Sequence, residues 1–473
     1  MKNIFKCILV VACSVGLASC DFDLETYQAI PTENAFSTVA DVQNGLNGAY
    51  QSFGTYRFYG NNVVAIGDLA SDVAVADPKS GHGVTINRYQ ITDTESILKE
   101  AWEYGFRVLD RCVRMIEGAN NLLATNAKLS DEDKSNLDLY MAQGYALKAL
   151  TNFYLVNLFG LPYQPGQANA QLGLPLLDKE PLEPFVNIER ATVAQTYELI
   201  LDDIASAKTY MENAGTDASS SVNQFYLNEA AIYALEARVN FFMGNNDVAK
   251  ASAKKAIELR ASGEVSDLVY QTMWSDIAIT AEDIFTVAKT NDDNLSANAL
   301  NTLYGSYGAV LSSGIKTLFG PEDIRLKLID KNNRPLKFDG IPAAQAVSNI
   351  PVFRKSEMYL MIAEIEALAG NIAASQEALF YTAKRNPAIK SASELPSAKD
   401  ALIKFISEEN IREFFEEGHR WYDVRRTGEK ITPNVTGVTG FDVSAFVYPI
   451  PADEINAGYC DQQNEGWSDG LPQ

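Results

Sequence analysis

Apolar positions recur at helical spacing along most of the chain. A helix fits from Thr38 or Asp41 to about Phe53. A longer one fits 95–123, where Trp102, Phe106, Leu109, Val113 and Ile116 form one stripe. A third runs from about Ser130 to Phe159. Ser130 with Asp133 is a weaker form of the capping box, and Gly160-Leu161-Pro162 is a strong stop. A fourth helix covers Thr192 to about Asn213. Two close pairs follow: Asn228–Met243 with Asp247–Arg260 across Gly244, and Lys355–Ala369 with Ile372–Arg385 across Gly370. A last long helix covers roughly 398–417.

The two pairs look like degenerate tetratricopeptide units. Ala249 and Ala256 follow Gly244 by 5 and 12 residues, and Ser375 and Thr382 follow Gly370 by the same intervals. Small side chains there let the second helix of each pair lie close to its neighbours. Between the helices, 54–94, 160–190, 261–350 and 428–473 carry few helical signals and are rich in Gly, Asn, Asp and Tyr. Irregular stretches this long are uncommon unless they have a function. The expected fold is therefore mainly α: a tetratricopeptide-like helical superhelix scaffold whose long inserted loops form a ligand face. Length alone suggests about three domains, but the pattern favours a single domain over 38–473.

The first residues read as an export signal. Lys2 and Lys6 precede an apolar run, Ile8 to Leu17, that is too short to cross a bilayer as a mature helix. Leu17-Ala18-Ser19-Cys20 has the order of a bacterial lipobox. Residues 1–19 are then a lipoprotein signal peptide and Cys20 is the lipidated first residue, held stably by several acyl chains. Residues 20–37 form a tether whose Asp21, Asp23 and Glu25 resemble a surface-export signal.

Charge and cysteine usage narrow the partners. Without Lys2 and Lys6, 39 − 2 = 37 basic residues face 61 acidic ones, a balance of 37 − 61 = −24. Such a surface disfavours nucleic acid and anionic lipid and favours neutral or cationic ligands. Cys7 and Cys13 leave with the signal, so Cys112 and Cys460 remain, too few for a disulfide framework. Cys112 lies in an amphipathic helix and reads as a buried free thiol. With only two histidines and no HExxH, Walker or Gly-x-Ser-x-Gly pattern, no catalysis is expected. Asp330-Lys331-Asn332-Asn333-Arg334 starts like a calcium loop, but Arg334 and Pro335 break it. No metal site or cofactor is expected, and no motif supports calcium.

The most specific segments lie toward the C-terminus: Ile350-Pro351-Val352-Phe353-Arg354-Lys355-Ser356-Glu357 and onward to Glu364, Glu409-Asn410-Ile411-Arg412-Glu413-Phe414-Phe415-Glu416-Glu417-Gly418-His419-Arg420-Trp421-Tyr422-Asp423-Val424-Arg425-Arg426, Tyr448-Pro449-Ile450-Pro451, and Gln463-Asn464-Glu465-Gly466-Trp467. Together with Leu46-Asn47-Gly48-Ala49-Tyr50, the 102–120 and 146–162 stretches and Asp323-x-Arg325, they closely resemble the SusD/RagB family of outer-membrane nutrient-binding lipoproteins. The sequence departs from the family pattern at Lys148 and Tyr381, where Arg and Asn are usual; both look like packing positions. Read from the residues, the charges alternating around Phe414, Phe415, Trp421 and Tyr422 suit an ion-pair network that locks a helix to the turn after it. His419 then belongs to the structure, and Trp102 and Trp467 to the core.

The resemblance implies a non-catalytic protein that captures a glycan at the cell surface and works with a SusC-type TonB-dependent transporter of the outer membrane. It also implies a shallow ligand face built from loops. A pyranose stacks its apolar face on aromatic rings and pairs its hydroxyls with amides and charged groups. Two loop regions have that mixture. One holds Tyr56, Arg57, Phe58, Tyr59, Asn61, Asn62, His82, Arg88 and Tyr89. The other holds Tyr270, Trp274, Asn291, Asp292, Asn294, Asn298, Asn301, Tyr304 and Tyr307. The candidate ligand-binding residues are Tyr56, Tyr59, Asn61, His82, Tyr89, Trp274, Asn294, Tyr304 and Tyr307. The competing readings are a RagB-like peptide binder with the same transporter partnership, and a helical-repeat adaptor of the envelope.

Overall fold

A computed structural model describes residues 35–178, 186–260 and 262–472. The signal peptide, Cys20 and most of the tether lie outside the described residues.

Helix α1 (Val39–Phe53) begins where the hydroxyl of Thr38 accepts the Asp41 N–H at 3.2 Å and the Asp41 carboxylate accepts the Thr38 N–H at 2.9 Å. Two short helices, α2 (Asn62–Leu69) and α3 (Val84–Asn87), lie in the first inserted stretch. Helices α4 (Ser96–Thr125) and α5 (Asp131–Phe159) are the longest. The Ser130–Asp133 pair forms a complete reciprocal box, with both bonds at 3.0 Å. Then come α6 (Val193–Ala214), α7 (Thr216–Ser221), α8 (Glu229–Phe242) and α9 (Asn246–Leu259). The third inserted stretch holds α10 (Asp267–Thr272) and α11 (Leu300–Tyr304). The chain ends with α12 (Lys355–Leu368), α13 (Ile372–Ala383), α14 (Lys399–Phe414), α15 (Arg420–Thr427) and α16 (Ala452–Ala457).

Successive helices stack into a superhelix. α1 packs on α4 and α5, α5 on α6, α8 on α9, α9 on α12, and α12 on α13 and α14. Gly244 (φ 76°) and Gly370 (φ 83°) make the tight turns inside the two repeat-like pairs, a backbone region where a side chain is strained. Ala249, Ala256, Ser375 and Thr382 are all fully buried, as close helix approach requires. The α4 stripe faces inward through Trp102, Leu109, Val113 and Ile116, with Phe106 half-buried beside them. The C-terminal half of α5 is buried on every side.

Among the described residues, three two-stranded antiparallel ribbons brace the inserted stretches. They pair β1 (Ala74–Val75) with β5 (Val310–Leu311), β2 (Leu172–Pro175) with β3 (Arg190–Thr192), and β4 (Asp283–Val287) with β6 (Ile350–Arg354). The β1–β5 ribbon sets Ala74 opposite Leu311 and so fixes the first inserted stretch against the third.

The expected ionic lock is present, and most of its cations come from outside the motif. Arg354 donates to Glu413 at 2.9 Å, Glu417 at 2.8 Å and Glu282 at 3.0 Å. Arg385 reaches Glu413 at 2.9 Å, Arg325 reaches Glu409 at 2.8 Å, and Lys337 reaches Glu417 at 2.6 Å. Arg425 plays a different part from the one its sequence position suggests. It donates to the backbone carbonyls of Gly160 (3.0 Å) and Phe446 (2.8 Å) rather than to a carboxylate.

Lys148 and Tyr381 do more than pack, because each is buried and bonds a carboxylate: Asp203 at 3.0 Å and Glu282 at 2.8 Å. His419 stacks on Phe414 with ring centroids 4.2 Å apart, and burial pushes its pKa down to about 3, so it is a neutral structural ring. Cys112 and Cys460 are buried free thiols. Trp102 is buried, while Trp467 is only half-buried.

Candidate functional site

The chain doubles back as soon as α1 ends. The Tyr59 N–H bonds the Phe53 carbonyl at 3.0 Å and the Asn62 N–H bonds the Tyr56 carbonyl at 2.9 Å, which presents Tyr56 and Asn61 at the mouth of α2. The Arg57 guanidinium lies 4.5 Å from the Tyr56 ring and bonds Glu100 at 3.3 Å. The Asn62 amide holds the other Glu100 oxygen at 3.1 Å. Partial desolvation and then the Glu100 charge raise the pKa of the Tyr56 hydroxyl.

Two further loops complete the walls. The turn after Asp77 is pinned by the Asp77 carboxylate, which accepts the Lys79 N–H at 2.9 Å, and it carries His82. The loop before α11 is held by Thr302, whose hydroxyl bonds the Ser296 carbonyl at 3.1 Å. Asn61 joins the two sides by donating its amide to the Asn298 carbonyl at 2.6 Å. His82 and Tyr307 stack face to face, centroids 3.5 Å apart and planes 9° apart. The result is a cleft of about 390 Å³.

Tyr56, Asn61, His82 and Tyr307, chosen from two sequence regions, line this one cleft. Asn62 and Asn298, present in the same loop regions, line it too. Four other candidates belong to the core rather than to the cleft. Tyr59 is buried, stacks on Phe53 and donates to the Pro351 carbonyl at 3.2 Å. Tyr89 is buried against Phe441 and Phe446 and donates to the Ala70 carbonyl. Trp274 is 4 % exposed, meets Phe338 edge-on, and has the Lys337 ammonium 4.6 Å from its ring. Tyr304 is 1 % exposed and donates to Asp68 at 3.1 Å. In each case the aromatic body serves loop packing, and for the three tyrosines a fixed internal acceptor takes the hydroxyl. Asn294 is exposed but is not part of the cleft wall. Its side chain bonds the Asn291 carbonyl at 2.6 Å and accepts the Ser296 N–H at 3.0 Å, which shapes its own loop.

Glu95, Ser96, Ile97 and Glu100 also line the cleft. Sequence reading assigns them to the start of a scaffold helix. The available signal is that the apolar stripe of α4 begins only at Leu98 and Trp102, leaving the first turns free to face something else. The wall therefore combines rings, amides and two carboxylates, a set suited to hydrogen-bonding a polyhydroxylated ligand. Among the described residues no group of three or more His, Cys, Asp or Glu is arranged to hold a metal ion. No helix among them is long and apolar enough to cross a membrane. A second cavity, of about 70 Å³, lies inside the scaffold around the Arg238–Glu357 pair and His419. Its charged pair is already satisfied at 2.6 Å, and its space is far smaller than that of the cleft.

Comparison with known proteins agrees with the fold. A model of the SusD family matches residues 327–467, and a model described as starch-binding associating with outer membrane matches 22–241. SusD-like protein P2 of Formosa agariphila is 22% identical, across 95% of this chain and 97% of its own. A solved SusD superfamily protein from Bacteroides vulgatus is 26% identical with a TM-score of 0.80, covering 91% of this chain and 100% of its own. Surface glycan-binding protein A from Bacteroides fluxus is 20% identical with a TM-score of 0.70, covering 91% of this chain and 100% of its own. The repeat scaffold and two family models, one matched at each end of the fold, make the chain similar to the SusD family.

Proposed function

We propose that this protein is a non-catalytic glycan-capture lipoprotein of the outer membrane. It is anchored through Cys20, faces the cell exterior, and passes an oligo- or polysaccharide to a SusC-type TonB-dependent transporter. The observation that carries the reading is the cleft itself. Three loops, the last more than two hundred residues from the first two, bring the His82–Tyr307 stack, Tyr56 and Asn61 to one concave surface. Rings stack on the apolar face of a sugar, and the amides and carboxylates take its hydroxyls. The printed descriptions of one family model (starch-binding) and of the Bacteroides fluxus protein (glycan-binding) support the ligand class. Lipid anchoring would let a modest affinity suffice, because tethering beside a transporter supplies effective concentration.

Isothermal calorimetry of the mature protein against a panel of polysaccharides tests the reading. Heat of binding with at least one glycan is expected, unchanged by a chelator, since no metal or cofactor takes part, and without release of reducing ends. Binding only to oligopeptides would move the protein to the peptide-binding alternative, and release of reducing ends would make it an enzyme.

A further inference from the structure

We infer that the cleft accepts uncharged glycans and rejects anionic ones, and that Glu95 and Glu100 set this selectivity; the inference rests on the glycan-capture reading above. Both residues lie at the start of α4 and face the cleft. No lysine or arginine is among the described residues that line it. The guanidinium of Arg57, next to the lining residue Tyr56, is already engaged by Glu100 at 3.3 Å, by the Tyr56 ring at 4.5 Å and by the Tyr104 hydroxyl at 3.2 Å. His82, the one imidazole on the wall, is committed to its stack with Tyr307.

The two carboxylates differ in what they are free to do. Glu100 is held in place by Arg57 and Asn62, and the Tyr56 hydroxyl also interacts with its carboxylate. Glu95 is half-buried, and its carboxylate has no hydrogen-bond partner among the described residues. An ionised carboxylate is an acceptor only, so each suits a donating sugar hydroxyl, and that charge-assisted bond is stronger than a neutral one. A uronic acid or sulfate ester brings acceptors and negative charge to the same place, with no lysine or arginine among the described wall residues to receive them. Like charges a few ångströms apart in a partly enclosed cleft repel far more than in open water.

The experiment measures binding of size-matched oligosaccharides to the mature protein: neutral glucose, xylose and galactose oligomers against polyuronate and sulfated oligomers, at low and high salt. The expected result is binding of a neutral oligomer, with every anionic one weaker by at least about tenfold, a gap in keeping with like-charge repulsion at short range. The gap should shrink in Glu95→Gln and in Glu100→Gln, which keep the shape and remove the charge. Glu95→Gln is the decisive variant, because Glu100→Gln also loosens Arg57. An anionic oligomer that binds wild type as tightly as any neutral one, or a gap that Glu95→Gln leaves unchanged, overturns the inference and leaves glycan capture standing. Failure of every glycan to bind sinks both.

Discussion

The hydroxyl of Tyr304 donates to the carboxylate of Asp68 across 3.1 Å, joining positions 236 residues apart in the chain. The other Asp68 oxygen accepts the Gly418 N–H at 3.2 Å. Three segments thus meet at one buried carboxyl: α2, α11 and the turn that carries the charged C-terminal motif. Both helices also supply cleft wall, α2 through Ala65 and Leu69, α11 through Leu303. Tyr304→Phe removes only the hydroxyl and leaves a buried acceptor short of a donor, a loss of about 1–3 kcal/mol. Thermal unfolding should show that loss. Calorimetry should show weaker glycan binding although Tyr304 touches no ligand. Reduced stability with unchanged affinity would mean the cleft does not depend on this link.

The same carboxyl gives stability a pH dependence near neutrality. Burial pushes the Asp68 pKa up to about 7, only partly offset by its bonds from Tyr304 and Gly418. A carboxyl raised in this way keeps its proton in the fold after the unfolded chain has lost it. Stability therefore falls as pH rises between the unfolded value and about 7, then levels off. Between pH 6 and 8 the expected change is about 1.4 kcal/mol, the equivalent of one pKa unit. Denaturant midpoints should be higher at pH 6 than at pH 8, and Asp68→Asn should flatten the difference and stabilise the protein at pH 8.

The scaffold was legible because helix periodicity, caps and the glycine turns at 244 and 370 are local signals, and each repeats a physical rule. The short helices α2 and α15 were not. The apolar run Val63–Leu69 is too brief and too uniformly buried to show a helical stripe, and α15 starts inside a charged motif that reads as a turn. The cleft was half legible. Composition found Tyr56, Asn61, His82 and Tyr307 because ring-and-amide mixtures mark sugar contacts. The same composition selected Tyr59, Tyr89, Trp274 and Tyr304, because a long loop needs large side chains to hold it on the scaffold. Contacts between remote residues separate the two sets: the β1–β5 ribbon and the Asn61–Asn298 bond assemble the cleft, while the bonds of Tyr59 to Pro351 and of Tyr304 to Asp68 hold core rings in place.

That separation predicts opposite outcomes for two aromatic substitutions. Tyr307→Ala deletes a cleft ring stacked on His82 and should cost about 1–3 kcal/mol of glycan binding, by analogy with base stacking on aromatic platforms. Its effect on the unfolding midpoint should be small. Trp274→Ala deletes a core ring packed on Phe338 and Tyr270 and should cost about 3–5 kcal/mol of stability. The fraction that remains folded should bind glycan normally. Weakened binding in a fully folded Trp274 variant would place the ligand elsewhere.

Glu413 is the centre of the ionic lock, and its replacement tests how the C-terminal motif holds the fold. It accepts from Arg354 and Arg385 at 2.9 Å each, from Arg325 at 3.2 Å and from the Tyr270 hydroxyl at 3.1 Å. Burial alone would raise its pKa, but Arg385, Arg354 and Arg325 outweigh burial and hold it well below the usual carboxylate range. Glu413→Gln preserves the shape and strips the charge that those guanidinium groups share, so the penalty should be about 3–5 kcal/mol. An exposed pair gives the contrast. Asp131 and Lys134 are 3.2 Å apart at the surface, and Asp131→Asn should change stability by about 0–1 kcal/mol. The sign with pH is the reverse of that at Asp68. A depressed carboxyl contributes stability that is present above the unfolded value, about 4.3, and is lost as pH falls toward the folded one. The acid limb of the wild-type stability profile should therefore steepen below about pH 4, and Glu413→Gln should unfold with a shallower limb. Equal acid limbs in the two proteins would assign the acid sensitivity to another carboxylate of the lock, with Glu409, also held below the usual carboxylate range, the next to replace.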